Sequence, residues 1–549
     1  MMAIMEKVAL PIIAEVYNRR GVAVPEGHRA LQKWAVIVFT IATLLASWQS
    51  TIQSILADRP VIHDAWQNLT LAYNLSHHGV MSLSHDSADL APSSRREPLP
   101  AAFLAFYMAS VEAVYGKMTL DGYGTGLGTG RLKVSNVFWA AVLAYSVFVS
   151  IVRLSGSFLL AGMGTWFSNL TVLQYFNNLL TEPHAAALLT LACYLSIVAL
   201  SRRRALYFGL AGVCFGALAL TKAATFYVVM VLACLLFGWS LWQLKWPTET
   251  RSVRIPSVIV FVLGVALTTG PWMSRNYVLL NSMEIVGEAA PVVLMVRAEK
   301  NKMSWLEYRG GFYAWAPNEL FRKAASYSLG FTEADLRRGG RLQRLNRSSG
   351  SEFYASDMKA VRAGRPEDAV SFLKKTQAEK RKVKRELVAQ GYSGLDAESE
   401  LQRRAIRQIA GEPLKHMAMS VLFLWRGAGL IFPALALVAS YAAVARRSEL
   451  MVYILPALGL VFFYALATHF HPRYGQPLLP VTIVGVLVLS HAVVRHWINR
   501  LAGWMGPTTR VHERIRTPQN SQPIGSVMQD DSITCAPVSN SGTTPRSLP

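Results

Sequence analysis

Charge is what this chain has least of. Asp, Glu, Lys and Arg make up 16% of its 549 residues, against about a quarter in an average globular protein. The shortage is uneven: long stretches carry almost no charge, and others are dense in Arg and Lys. With 52% hydrophobic residues and a mean hydropathy of +0.28, a disordered chain, a collagen and a coiled coil are excluded. Cysteine is scarce too. Cys193, Cys214 and Cys234 lie inside apolar runs, Cys535 sits in a polar tail, and no Cys-x-x-Cys pair exists. A disulfide scaffold, a zinc site and a dithiol redox centre are therefore not expected. The first 32 residues lack a signal-peptide core with a cleavage site. Acids are scarcer than bases, 33 against 55, for a formal net charge of +22. No nucleic-acid recognition motif accompanies that charge, so the cations are assigned to anionic headgroups and no nucleic-acid partner is expected.

What the chain does have is apolar runs of membrane-crossing length. About ten are expected as spans, at 33–50, 132–152, 157–179, 183–201, 205–221, 223–243, 256–272, 429–445, 449–468 and 476–497. The run at 98–116 is also apolar, but counting it as a span would turn the Arg202–Arg203–Arg204 and Arg446–Arg447 loops outward. Short basic loops prefer the cytosol, so 98–116 reads as a helix lying in the outer interface. The resulting plan is an all-α polytopic membrane protein with its amino-terminal segment (1–32) in the cytosol. A transmembrane module (33–272) encloses a first outer loop (51–131). A basic extracytoplasmic helical region (273–428) follows, with KKTQAEKRKVKRE at 374–386, then further spans (429–497) and a disordered cytosolic tail (498–549). The GTGLGTG string at 124–130 lacks the Lys-Ser/Thr of a phosphate loop and reads as a flexible connector.

Charged residues at span ends cost free energy unless they are paired or face a cavity, so they mark candidate sites. Asp64, Arg95, Arg96, Glu182, Lys222, Arg275 and Arg473 with Tyr474 all fall on the outer side in this plan. A lone basic residue at a span end is usually a snorkelling anchor, but two acids and several bases sharing one face suit a polar cavity. Arg and Lys would hold a lipid-linked phosphate leaving group, a carboxylate would take a proton from the attacking acceptor, and the lipid tail would lie against the spans.

Several strings strengthen this reading. HDAWQNLTLAYNLSHHG at 63–79 and RREPLPAAFLA at 95–105 resemble the first outer loop of family 39 glycosyltransferases, members of the GT-C class of multi-spanning membrane enzymes. That family includes protein O-mannosyltransferases and aminoarabinose–lipid A transferases. TEPHAAALLTLACYL at 181–195, LAGVCFGALALTKAA at 210–224, GPWMSRNY at 270–277 and HPRYGQPLLP at 471–480 are similar to its later motifs, in the same order. The resemblance covers roughly 33–497. It implies a GT-C-like helical bundle, a polyprenyl-phosphate-linked sugar as donor, an extracytoplasmic acceptor and a bacterial inner-membrane setting. It makes Asp64 the catalytic carboxylate and places Arg96, Lys222, Arg275 and Arg473 on the donor phosphate. Glu182, Tyr474 and His63 would line the cavity. Many members carry two adjacent acids in the first loop, whereas Asp64 is flanked by His63 and Ala65. A two-carboxylate metal site is accordingly not expected, and no cofactor is assigned.

Three other readings compete. A ligase or polymerase of lipid-linked polysaccharide would rely on outer-loop arginines without an early acid. A transporter or flippase would need broken spans around a midplane site. A non-catalytic relative would bind donor without turnover.

Overall fold

A computed structural model describes residues 26–57, 60–86, 88, 90–245, 253–288, 290–346 and 352–504. The expected cytosolic segment to residue 25 and the expected disordered tail beyond 504 lie outside the described residues. Contacts divide the chain into residues 1–493 and a separate unit from Val494 on. No strand occurs among the described residues. In chain order the helices of eight residues or more are α1 (Glu26–Leu56), α2 (Asp64–His78), α3 (Pro98–Tyr115), α4 (Gly126–Lys133), α5 (Asn136–Ser155), α6 (Phe158–Phe176) and α7 (Glu182–Arg202). They continue with α8 (Ala205–Ala219), α9 (Ala224–Lys245), α10 (Ile255–Leu280), α11 (Ala290–Asn301), α12 (Trp305–Ala314), α13 (Glu319–Leu329) and α14 (Tyr354–Ala363). The last are α15 (Phe372–Ala389), α16 (Gly394–Gly411), α17 (Pro413–Ala428), α18 (Ile431–Val444), α19 (Ser448–Ala467) and α20 (Leu479–Trp504).

Among the described residues, eight helical stretches are long and apolar enough to cross a bilayer: 34–56, 98–115, 126–155, 182–202, 224–244, 255–280, 448–467 and 472–501. They mark a multi-pass membrane protein. Three of the ten expected spans are missing from this set, and 98–115, expected to lie in the interface, is added to it. The run at 157–179 does form a full-length helix, α6, but its mean hydropathy is diluted by Thr165, Ser168 and Asn169, which are buried against neighbouring helices. Asn169, for example, donates to Ser47 of α1. The run at 205–221 yields only the fifteen residues of α8, about 22 Å of helix. Glycines let α8 lie tightly on α10. A Cβ at Gly212 would sit 2.1 Å from the Phe261 carbonyl oxygen, and one at Gly264 would sit 2.5 Å from that of Gly209. Small residues at such crossings permit backbone contact. Finally, the run at 429–445 forms α18, which meets α17 at a 98° bend. The break is at Gly429, with φ 48° and ψ −119°.

The helix ends sort into two groups. At one end Arg153 pairs with Glu449 at 2.8 Å and Arg447 donates to the Leu154 carbonyl at 2.7 Å. At the other end Asn136 donates to the carbonyls of Phe176 and Asn178 at 2.8 and 2.9 Å. The path of α3 stays with this second group. Glu112, in its last turn, accepts from the Tyr123 hydroxyl at 2.8 Å. One residue later Gly124 accepts from the Val61 amide at 3.3 Å. The chain is thus back at the start of α2 nine residues after α3 ends.

The GTGLGTG string is not a flexible connector. Gly126 turns the chain at φ +62° into α4, and a Cβ at Gly128 would lie 2.1 Å from the Gly122 carbonyl oxygen. The glycines serve helix-on-turn packing. α10 continues through Pro271 to Leu280, past the boundary expected at 273.

Candidate functional site

Five charged side chains from five separate segments meet at the second end. Asp64 is the first residue of α2. The preceding His63 holds φ 53° and ψ −118°, outside the usual region for a residue with a Cβ. Strain of this kind persists only where surrounding contacts enforce it. Those contacts are the Val61–Gly124 hydrogen bond and, a turn further on, Asn68 donating to the Leu179 carbonyl at 2.9 Å. Arg96 sits two residues before Pro98, which opens α3 at a position where a missing amide is harmless. Glu182 is the first residue of α7, followed by Pro183. Lys222 lies in the turn between α8 and α9, its amide donating to the Leu218 carbonyl. Arg473 lies in a short helical turn, Pro472–Gly475, ahead of α20.

Arg473 is the hub. Its Nη1 donates to Asp64 Oδ2 at 2.6 Å. Its Nε and Nη2 form a fork on Glu182 Oε1 and Oε2 at 2.7 and 3.0 Å. Lys222 Nζ reaches Glu182 Oε1 at 3.1 Å. Arg96 Nη2 donates to Asp64 Oδ1, and its Nε donates to Gln67 Oε1 at 2.7 Å. Three cations less two carboxylates leave one positive charge in excess. Glu182 has a fully buried side chain, whereas that of Asp64 is 36% exposed. Burial alone would raise the Asp64 pKa, but the guanidinium groups of Arg96 and Arg473 outweigh it and hold the carboxyl below its ordinary value. Beside Asp64 opens a groove of about 640 Å³ lined by His63, Trp66, Gln67, His85 and Arg95, among others. The Trp66 and His85 rings stack there at 6.1 Å. Among the described residues no carboxylate lines it.

The remaining candidates fall around this cluster. Tyr474 packs on Tyr464, ring centroids 5.4 Å apart, and flanks the Arg473 turn from the core side. His63 lines the groove. Arg275 stays outside the cluster. It stacks on Trp272 at 4.6 Å and donates to Asn276 Oδ1 at 2.8 Å and to the Ser93 carbonyl at 3.4 Å. Its contact is with the loop that carries Arg96 rather than with Asp64 or Glu182.

Two residues enter that the sequence did not single out. Gln67 is one helical turn beyond Asp64, so i, i+3 spacing from the acid was an available signal. Glu288 is distant in sequence and carries no such mark. Its Oε1 accepts from the Ser93 hydroxyl at 2.9 Å and the Ser94 amide at 3.0 Å, fixing the segment just before Arg96. Among the described residues no three His, Cys, Asp or Glu side chains gather as a metal cage would require. No family model matches the chain, and no curated protein shows significant similarity to it.

Proposed function

We propose that this chain is a membrane glycosyltransferase. It moves a sugar from a polyprenyl-phosphate donor to an acceptor outside the cytosol, with Asp64 as general base. The observation that carries the reading is the Arg473 bridge between Asp64 and Glu182. It joins residues 409 and 291 positions apart in the chain and gathers an excess positive charge beside a half-exposed carboxylate.

The chemistry follows from what each group does with and without a ligand. In the free protein Asp64 is neutralised by two guanidinium groups and is a poor base. A donor phosphate entering the cluster competes for Arg96 and Arg473, and those cations then hold the charge that builds on the leaving phosphate. Released from its partners, Asp64 gains proton affinity and accepts the proton of the attacking hydroxyl or amine in the groove. Direct displacement inverts the anomeric centre. Glu182 is fully buried, so its role is to hold Lys222 and Arg473 rather than to meet the substrate. Three features point to the outer face of a bacterial-type plasma membrane: the resemblance of residues 63–79, 95–105 and 270–277, the return of α3 to the Asp64 end, and the basic loops at the opposite end.

The test is transfer from a radiolabelled polyprenyl-phosphate sugar in membranes containing the chain. Asp64→Asn is expected to lower turnover by about 10³-fold or more while donor binding persists, within the span of acid–base and electrostatic contributions to catalysis. Undiminished transfer by this variant would favour a polysaccharide ligase that works through arginines alone.

A further inference from the structure

The segment that presents Arg96 is neither helix nor strand from residue 90 to 97, so no regular backbone ladder fixes it. Its place is set from the far side, by the end of α10 and the residues that follow. Glu288 Oε1 accepts from the Ser93 hydroxyl at 2.9 Å and from the Ser94 amide at 3.0 Å. The same hydroxyl accepts from the Arg95 amide at 3.1 Å. One carboxylate oxygen therefore orders three consecutive residues, and Arg96 is the next. Ser93 and Ser94 are 9% and 2% exposed, so water is a poor substitute for the acid.

The acid is itself held. Trp272 Nε1 donates to the Ile285 carbonyl at 3.0 Å and Asn276 Nδ2 donates to the Glu284 carbonyl at 2.7 Å, tying the Glu288 segment to α10. Arg275, between them in sequence, donates to the Ser93 carbonyl at 3.4 Å. From α15, Lys380 donates to the Glu288 carbonyl at 3.3 Å and pairs with Glu398 of α16 at 2.7 Å. The P-W-x-x-R-N string and the basic run of α15 thus converge on one loop.

We infer that Glu288 is a positioning residue for the donor site. It holds the backbone of residues 93–95 so that the Arg96 side chain can exchange Asp64 for the donor phosphate from a fixed base. The inference rests on the transferase reading for what Arg96 does, and on the bonds above for how Arg96 is held. Without the acid, the loop must be ordered anew each time donor binds, and that ordering weakens donor affinity.

Two measurements on the full chain test this. The first is steady-state transfer from the radiolabelled polyprenyl-phosphate sugar. Glu288→Ala is expected to raise the donor KM about tenfold, the scale of buried donors left without a charged acceptor, while kcat stays within about threefold of wild type. A merely structural loss of folded protein would lower kcat at unchanged KM. Glu288→Gln keeps an accepting oxygen and is expected to recover most of the KM. In an Arg96→Gln background Glu288→Ala is expected to add nothing further, because the residue it positions is gone. The second measurement needs no turnover: a nitroxide on a cysteine at position 95, with Cys234 and Cys535 replaced by Ser, is expected to become more mobile in Glu288→Ala and to be restrained again in Glu288→Gln. Should Glu288→Ala fail to fold, Ser93→Ala, which deletes the hydroxyl relaying to the Arg95 amide, reads the same responses. The proposal is overturned if the nitroxide in Glu288→Ala moves as in wild type, if kcat falls at unchanged donor KM, or if KM rises equally with Arg96 replaced. A wild-type chain that transfers nothing removes the transferase reading instead, and the nitroxide still decides whether Glu288 holds the Arg96 loop.

Discussion

At the residue scale, the acids of the cluster hold opposite positions and respond differently to change. Glu182 is fully buried and held by Arg473 and Lys222. Replacing it by Gln leaves two cations without their counter-charge, a class of change that costs about 3–5 kcal/mol. Glu182→Gln is therefore expected to lower the thermal unfolding midpoint markedly, read in detergent or nanodiscs, even before activity is assayed. Asp64 is partly exposed, and its effect is read best through pH. A carboxyl held below its ordinary value contributes stability above that value and loses the contribution as pH falls through the lowered one. The wild-type protein is thus expected to exceed Asp64→Asn in midpoint at neutral pH, with the difference closing below the ordinary aspartate value of 3.8. A gap that stayed constant into acid would mean that the Arg96 and Arg473 pairs contribute nothing to the fold. The sequence exposed these residues because each is a charge beside an apolar run. It could not expose Glu288, whose importance comes from where a distant loop places it against Ser93 and Ser94. It also could not exclude Arg275, since a P-W-x-x-R-N string does not say that the guanidinium will turn onto Trp272.

At the element scale, α17 is the segment whose role the sequence least disclosed. Its sixteen residues include Lys415, His416 and Arg426, so by composition it belongs with the polar outer region. The bend of 98° to α18 changes what those residues face. If α18 crosses the bilayer, α17 runs close to the membrane plane. Leu414, Met417 and Val421, at i, i+3 and i+7, are then a stripe turned outward, 85%, 57% and 54% exposed. Such a helix lies in the interface with its apolar face in the headgroup–acyl boundary. Environment-sensitive fluorophores on cysteines at 414, 417 and 421 are expected to be quenched by shallow lipid nitroxides and shielded from aqueous iodide. A label at Arg407 on α16 is expected to show the reverse. Quenching by deep nitroxides would instead make α17 part of a span, and shielding from both quenchers would indicate a protein covering the stripe. The long spans were legible because hydropathy over about twenty residues leaves few alternatives. Neither the bend at Gly429 nor the burial of polar α6 has such a signature, since both depend on which helix lies alongside.

For the whole molecule, the sidedness of the helix ends decides whether a site at Asp64 can face the outside. Counting every long apolar helix as a crossing would include α3 and reverse each later span. The chain's own contacts oppose that. Glu112, at the far end of α3, holds Tyr123, and Gly124 is bonded to Val61 at the foot of α2. An element that crossed the bilayer would leave its last turn about 27 Å, at 1.5 Å per residue, from the side where Val61 lies. With α3 kept on one side, Arg203 and Arg446 fall on the face opposite Asp64, where short basic loops favour the cytosol. Both are exposed, as is Lys117 just after α3. Single cysteines at these three positions, in a chain with Cys234 and Cys535 replaced by Ser, give a direct reading. In intact cells a membrane-impermeant maleimide is expected to label position 117 and leave 203 and 446 unlabelled until the membrane is opened. Labelling of 203 and 446 from outside, with 117 protected, would place α3 across the bilayer. It would also separate Asp64 from Arg473 by the width of a membrane, which their ion pair does not allow. That outcome would therefore remove both the fold at this end and the transferase reading built on it.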